Sequence, residues 1–382
     1  MLLVSSPLSF KGHNKRSPPH SRFLLHHPPE VLCQIFHYAV EDLGIKRLLP
    51  LLHVCYQWRR SILGDSSLWT EIYLSDITPP LFDMILAYAG KRLLKVHANH
   101  PDIHRVTKLW GLVNQIEELE CWSGTPKLFP FLTSLGPAPN LKVFQLRDGP
   151  DLVQLILPKI FRGRFPSLRQ LCLAMWVTWP AGLFKNLRSF ELGIDHRDDI
   201  SPTQVLDVLR ESPLLENLHL TGDCDLPDEE LPTVVLASLK NCILTGNGAL
   251  SLVWYMDIPA SANVTLRTSL SIRGRVVLYP FRDLSLALGL HTLDEVTTTF
   301  LIIGFAAIRF QAKNDSGGVV DIQVFYHENV AIGATLFAAL LEDAFFRSSC
   351  RFQTTKEFAF HISKFTNMPI VLNTARSACF ST

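Results

Sequence analysis

Five carboxylates crowd one short stretch, Asp223, Asp225, Asp228, Glu229 and Glu230, and a loop of that composition is where a calcium ion finds its oxygens. The turn glycine and the closing bidentate glutamate that such a loop needs are misplaced, so the stretch reads as a solvated connection. A second cluster, Asp195-His196-Arg197-Asp198-Asp199, has the residue types of a hydrolase. Neighbours in one loop cannot converge on a point as a catalytic triad must, and this too reads as a connection. His20, His26 and His27 are metal ligands by type, but they stand in a polar tail and read as ordinary tail residues.

The eight cysteines, Cys33, Cys55, Cys121, Cys172, Cys224, Cys242, Cys350 and Cys379, occur singly, without the Cys-x-x-Cys pairs that a tetrahedral zinc site draws from one turn. Most lie in apolar stretches, as buried free thiols do, which favours a reducing cytoplasmic or nuclear location over secretion. The glycosylation tripeptides Asn263-Val264-Thr265 and Asn314-Asp315-Ser316 go unused outside the secretory route. There is no Gly-rich phosphate loop ending in Lys-Ser/Thr, no Gly-x-Ser-x-Gly, no His-Glu-x-x-His and no Gly-x-Gly-x-x-Gly after a strand. The expectation is a protein that is not an enzyme, with no catalytic residues, no metal and no cofactor.

The elements around these residues point to binding instead. From Pro28 to Ser75 the chain reads PPEVLCQIFHYAV, LLPLLHVCYQWRRSIL and SSLWTEIYLS. Pro28 and Pro29 suit the first helical positions, where no intrahelical N–H bond is lost, and Glu30 complements the positive end of the helix dipole. Val31, Leu32, Ile35, Phe36, Ala39 and Val40 recur at helical spacing along one broad apolar face, until Glu41, Asp42 and Gly44 interrupt it. Pro50 predicts a kink or a junction within Leu48–Val54. Cys55, Trp58, Ile62 and Leu63 continue at helical spacing, with Gln57, Arg59 and Arg60 on the wet side. A bundle of about fifty residues is near the size at which a domain cannot bury enough apolar surface to be comfortably stable alone. It should want a partner.

The stretch resembles the F-box family. The resemblance rests on Pro28-Pro29-Glu30-Val31-Leu32, Ile35-Phe36, Val54-Cys55-Tyr56-Gln57-Trp58-Arg59, and Leu68-Trp69 ahead of Ile72 and Leu74. One departure is that His27 or His26 stands where a leucine usually precedes the first proline, with Leu24 and Leu25 displaced upstream. The resemblance implies a bundle gripped by the Skp-type adaptor of cullin–RING ligases through Pro29, Leu32, Ile35, Phe36, Val54, Cys55 and Trp58.

Behind this region the signature Leu-x-x-Leu-x-Leu returns at Leu141/Phe144/Leu146, Leu168/Leu171/Leu173, Leu187/Phe190/Leu192 and Leu215/Leu218/Leu220, with a weaker copy at Leu239/Cys242/Leu244. Starts at Leu93, Ile116, Leu293 and Val319 fit more loosely. The spacing, about twenty to about thirty residues, is that of leucine-rich repeats. Helices are expected in the gaps at Pro79–Gly90, Ile103–Val113, Thr203–Ser212 and Asn329–Phe346. Strands are expected at Asn263–Ile272, Thr297–Phe310, Val319–Tyr326 and Phe358–Ile362, with a turn at Ser316-Gly317-Gly318. The fold class is therefore α/β: a small all-α bundle, then an irregular leucine-rich-repeat-like solenoid with a curved, mostly parallel sheet. The expected division is a flexible basic leader over 1–22, an F-box over 23–75 and the repeats over 76–375, irregular beyond about 250. Many F-box proteins carry such repeats, and fungal members are often this divergent.

Composition agrees with this organisation. The chain has 382 residues, 47% hydrophobic and 19% charged, which is ordinary for a protein with a large core. The opening MLLVSSPL is too short for a secretory h-region and has no basic residue before it. The longest uncharged apolar run elsewhere, Asn329 to Leu341, falls short of the roughly twenty residues a span requires. No membrane association is expected.

Period-two alternation aims Glu118, Glu120, Trp122, Val143, Gln145, Arg147, Gln170, Ser189, Glu191, Asn217, His219 and Thr221 out of the concave face. Charges there are mixed, and the whole chain sets 36 basic residues against 35 acidic ones, so nucleic acid is a poor partner and a protein target a good one. The expected role is the substrate-recognition subunit of an SCF-type ubiquitin ligase, joined through the adaptor to a cullin. The alternative is a non-catalytic interaction scaffold with no role in degradation.

Overall fold

The computed structural model describes residues 28–75, 77–99, 108–122, 132–133, 135–147, 155–174, 177–194, 201–222, 231–246, 249, 252–270, 296–303, 307–314, 317–326 and 357–362. The chain divides into two compact units, Met1–Ile72 with Ile77–Arg92 and Tyr73–Asp76 with Leu93–Thr382. The expected leader over 1–22 lies outside the described residues, as do the helix at Asn329–Phe346 and the clusters at 195–199 and 223–230.

In the first unit α1 (Pro29–Leu43) starts with proline in its first turn and stops at Gly44, whose φ of 74° suits glycine. A 3-10 turn, Ile45–Arg47, leads into α2 (Leu48–Leu51). The junction expected near Pro50 is present, because α2 ends one residue later and α3 (Tyr56–Gly64) starts afresh with the Cys55 sulfur accepting the Trp58 N–H at 3.5 Å. Asp65 caps the next 3-10 turn, Ser66–Trp69, by accepting the Ser67 N–H, and the short strand β1 (Glu71–Tyr73) follows. The core is Leu32, Phe36, Ile45, Leu48, Ile62, Leu68 and Trp69, all buried. Burying side chains of this size contributes about 1.5–3 kcal/mol each. The Trp69 indole N–H satisfies itself on the Ile62 carbonyl at 2.9 Å.

Helix α4 (Pro79–Ala89) forms where expected. It groups with the helical unit and not with the repeats: its Tyr88 ring lies 5.1 Å from that of Trp69.

The second unit is dominated by one sheet. Its strands are β2 (Leu94–Asn99), β3 (Ile116–Trp122), β4 (Val143–Arg147), β5 (Leu155–Ile156), β6 (Gln170–Leu173), β7 (Val177–Thr178), β8 (Ser189–Ile194) and β9 (Asn217–Gly222). Then come β10 (Val234–Val235), β11 (Asn241–Thr245), β12 (Met256–Asp257), β13 (Asn263–Leu270), β14 (Val296–Ile303), β15 (Ala307–Asn314), β16 (Val319–Tyr326) and β17 (Glu357–Ile362). The order in the large sheet is β1-β2-β3-β4-β6-β8-β9-β11-β13-β16-β15-β14-β17. Its first ten strands form a parallel run in which neighbours in space follow one another along the chain. The pairs β5–β7 and β10–β12 are small parallel sheets of their own.

Alternation decides the two faces. Leu119, Phe144, Leu171, Phe190, Leu218, Cys242 and Val264 stand in register across adjacent strands and are all buried. A second buried row, Cys121, Leu146, Leu173, Leu192, Leu220, Leu244 and Leu266, runs two residues further along. Every copy of the repeat signature thus supplies two rungs to a continuous apolar ladder.

The gaps differ from expectation. Helix α5 (Pro202–Arg210) forms close to the expected Thr203–Ser212, held by a capping box between Ser201 and Gln204. In the described part of the expected Ile103–Val113 helix, Lys108 and Leu109 are α-helical and a 3-10 turn, Trp110–Gln115, follows, while Leu157–Gly163 is helical only in short turns broken by a kink at Ile160, Phe161 and Arg162. Gly163, Pro166, Pro180 and Gly182 explain why longer helices do not form there. An aromatic series takes their place: Phe144, Phe161, Phe165, Phe184 and Trp179 follow one another at centroid distances of 5.4, 6.3, 5.7 and 5.8 Å.

Beyond residue 250 the parallel run continues through β13 and β16. The stretch expected as one strand, Thr297–Phe310, is two antiparallel strands, β14 and β15. Strands β15 and β16 pair antiparallel, as a hairpin around Ser316-Gly317-Gly318 requires, with Ser316 itself outside the described residues.

Candidate interaction surfaces

Helix α1 carries two apolar stripes. Leu32 and Phe36 form the inner one and are completely buried, with Phe36 packed edge-on against Trp58 at 5.3 Å. Val31, Ile35 and Tyr38 form the outer one at the same helical spacing, and they are 38%, 42% and 69% exposed. Val54 and Tyr56, at the start of α3, are 55% and 76% exposed. Seven large apolar side chains are exposed among the described residues, and these five are in the first unit. A concentration of this kind marks a contact surface, whereas scattered single residues do not.

The expected adaptor contacts therefore divide. Pro29, Ile35 and Val54 are exposed, and Cys55 and Trp58 are half-buried. Leu32 and Phe36 have zero exposure in the chain by itself, where they fill the bundle that holds Ile35 outward. Val31, Tyr38 and Tyr56 are exposed beside them and were not among the expected contacts; the signal for the first two was a second stripe at i, i+4 and i+7 beside the buried one.

The same unit contains a polar cluster that sequence separation hides. Ser67 Oγ lies 3.0 Å and Asp65 Oδ2 3.2 Å from His37 Nε2. A Ser-His-Asp relay needs its partners on opposite ring nitrogens, and here both meet the same one. The cluster instead ties α1 to the 3-10 turn. Partial burial pushes the Asp65 carboxyl up, but the Ser67 hydroxyl and amide and the nearby His37 outweigh it and leave the group below the usual carboxylate range.

In the second unit the open face of the sheet gathers the other expected residues into rows. Glu118, Val143, Gln170, Ser189 and Asn217 pair across β3, β4, β6, β8 and β9, and the row runs on through Asn241 and Asn263. Those last three form an amide ladder: Asn241 Nδ2 donates to Asn217 Oδ1 at 2.8 Å, and Asn263 Nδ2 to Asn241 Oδ1 at 3.2 Å. The next row holds His97, Glu120, Gln145, Cys172, Glu191 and His219. In it His97 Nδ1 meets Glu120 Oε2 at 2.7 Å and stacks on Tyr73 at 4.2 Å, and His219 Nδ1 lies 3.5 Å from Glu191 Oε1. Arg147 Nη2 reaches Glu191 Oε2 at 3.7 Å, and Thr221 Oγ1 meets His219 Nε2 at 3.2 Å. Trp122 pairs with Arg147 in the backbone register.

The rows also contain Lys95, His97, Cys172, Asn241 and Asn263, which the motif reading passed over. Extending the alternation to the copies at Leu93 and Leu239 and to the strand expected from Asn263 finds four of them, and Cys172 is the fifth position of the copy at Leu168. Burial, with Glu191 beside it, pushes the Cys172 thiol up to about 12, so it stays protonated. Among the described residues no group of His, Cys, Asp and Glu is arranged to hold a metal ion, and no helix is long and apolar enough to cross a membrane.

Residues 27–75 match the F-box-like family model. The chain thus has an F-box-like domain, formed by α1 to α3 and the turn after them, followed by a long parallel sheet of leucine-rich-repeat type. No curated protein and no solved structure matches the chain.

Proposed function

We propose that the chain is the substrate-recognition subunit of an SCF-type cullin–RING ubiquitin ligase. The F-box-like domain docks on a Skp-type adaptor, and through it on a cullin, while the open face of the parallel sheet binds a protein target. The observation that carries the reading is the outer stripe of α1 together with Val54 and Tyr56: an apolar surface without a cover, on a domain of the type that docks. Catalysis in this role is proximity. A target lysine is kept at high effective concentration beside a ubiquitin-loaded enzyme, and the chain's own residues need perform no bond chemistry.

The mixed polar rows suit a protein target better than nucleic acid, since phosphate binding draws on clustered cations and here Lys95 and Arg147 each meet a glutamate. Target contacts are proposed at Glu118, Glu120, Trp122, Val143, Gln145, Arg147, Gln170, Ser189, Glu191, Asn217, His219 and Thr221.

The test is titration of the purified full chain with a Skp-type adaptor, beside an Ile35→Ala/Tyr56→Ala variant. Removing two interface anchors weakens binding about tenfold or more, at about 1 kcal/mol or more for each, while circular dichroism stays unchanged because neither side chain is in the core. Equal affinity in the variant and the parent would defeat the reading. Co-purification of a cullin with the parent separates a ligase subunit from a scaffold.

A further inference from the structure

We propose that the apolar patch of the F-box-like domain carries a cationic rim along α3, and that the adaptor surface it fits presents carboxylates beside its apolar groove. The inference rests on the docking reading above and names the chemistry of the surface that docks.

Tyr56 opens α3 and Arg60 follows it by four residues, so the two side chains leave the same helix face one turn apart. Arg59 stands three residues from Tyr56, and its Nε donates to the Leu52 carbonyl at 2.8 Å. That bond holds its guanidinium over the junction between α2 and α3, beside the segment that carries Val54. Both arginines are exposed, and no carboxylate among the described residues pairs with either. Lys46 and Arg47, in the turn before α2, are likewise exposed and unpaired among the described residues. Six cations of the second unit, Lys95, Lys142, Arg147, Lys185, Arg188 and Lys240, each meet a glutamate, whereas the exposed Arg162, Arg164 and Arg267 pair with no carboxylate among the described residues.

An apolar patch alone fixes shape and leaves the sign of the partner's charge open, whereas two guanidiniums at its edge decide it. The rigid fork of arginine pairs with carboxylates in two parallel bonds, and rim charges of complementary sign speed encounter more than they deepen affinity. The rim therefore acts on the association rate, and salt weakens it.

The experiment measures association of the full chain with a purified Skp-type adaptor at low and at high salt, using the parent, Arg60→Glu and Arg59→Glu/Arg60→Glu. Salt slows the parent, and at low salt Arg60→Glu slows association about three- to tenfold and flattens the salt dependence. Melting of that variant matches the parent, since the Arg60 side chain makes no hydrogen bond or ion pair among the described residues. A parent that binds at a salt-independent rate, unchanged by Arg60→Glu, overturns the cationic rim and leaves docking standing. A parent that fails to bind at any salt overturns docking and the rim together.

Discussion

Leu32 and Ile35 are three residues apart on α1 and do different work. Leu32→Ala opens a cavity in the bundle and costs about 2–5 kcal/mol of stability. Ile35→Ala removes an exposed side chain and leaves the melting curve close to the parent's, while binding to the adaptor weakens. Denaturant melts paired with adaptor titration separate the two effects, and an Ile35→Ala variant as unstable as Leu32→Ala contradicts the assignment. Asp65 adds a pH dependence. Its folded carboxyl titrates below the unfolded one, so its contribution is present above the unfolded value and is lost as pH falls through the folded value. Asp65→Ala costs about 0.5–2 kcal/mol at neutral pH through the lost cap. The difference from the parent shrinks in acid, which melts from pH 7 to pH 3 reveal. The motif names Leu32 and Ile35 alike as contacts, because a helical period cannot say which of two adjacent apolar stripes faces inward. Packing of α1 on α3, far along the chain, decides that, as the Phe36–Trp58 contact shows.

Among the elements, strands were legible and their connections were not. Each leucine of the repeat signature does the same job in every copy, so β4, β6, β8, β9 and β11 could be placed from spacing alone. The connections depend on which backbone conformations a few residues permit, and alternation carries no information about that. Gly246 is one such residue. Its φ is +95°, and a Cβ there would stand 2.5 Å from the Gly222 carbonyl oxygen of the preceding repeat. Gly246→Ala thus destabilises by more than about 1 kcal/mol, read as a lowered midpoint in urea. Phe161 is another: buried, with φ at +50°, it is held in the left-handed region between Phe144 and Phe165. Phe161→Ala loses about 3–5 kcal/mol, and native melting of that variant would show that the aromatic series is not what supports the sheet.

At the scale of the whole molecule, a sheet whose neighbours follow in sequence transmits damage only to adjacent repeats. Hydrogen exchange on Gly246→Ala should rise first in β9, β11 and β13 and least in β2 and β3; a uniform rise across the sheet contradicts nearest-neighbour coupling. The same order bears on synthesis. From β1 to β13 each strand emerges from the ribosome with its partner already made, so the sheet can grow as it is translated. That stops at β13, whose next neighbour is β16, while β14 and β15 are made earlier and join only through β16. At roughly 5–20 residues per second the free edge of β13 waits several seconds for its partner. During that wait, the unpaired edge is the point on the nascent chain most open to pairing with the wrong strand.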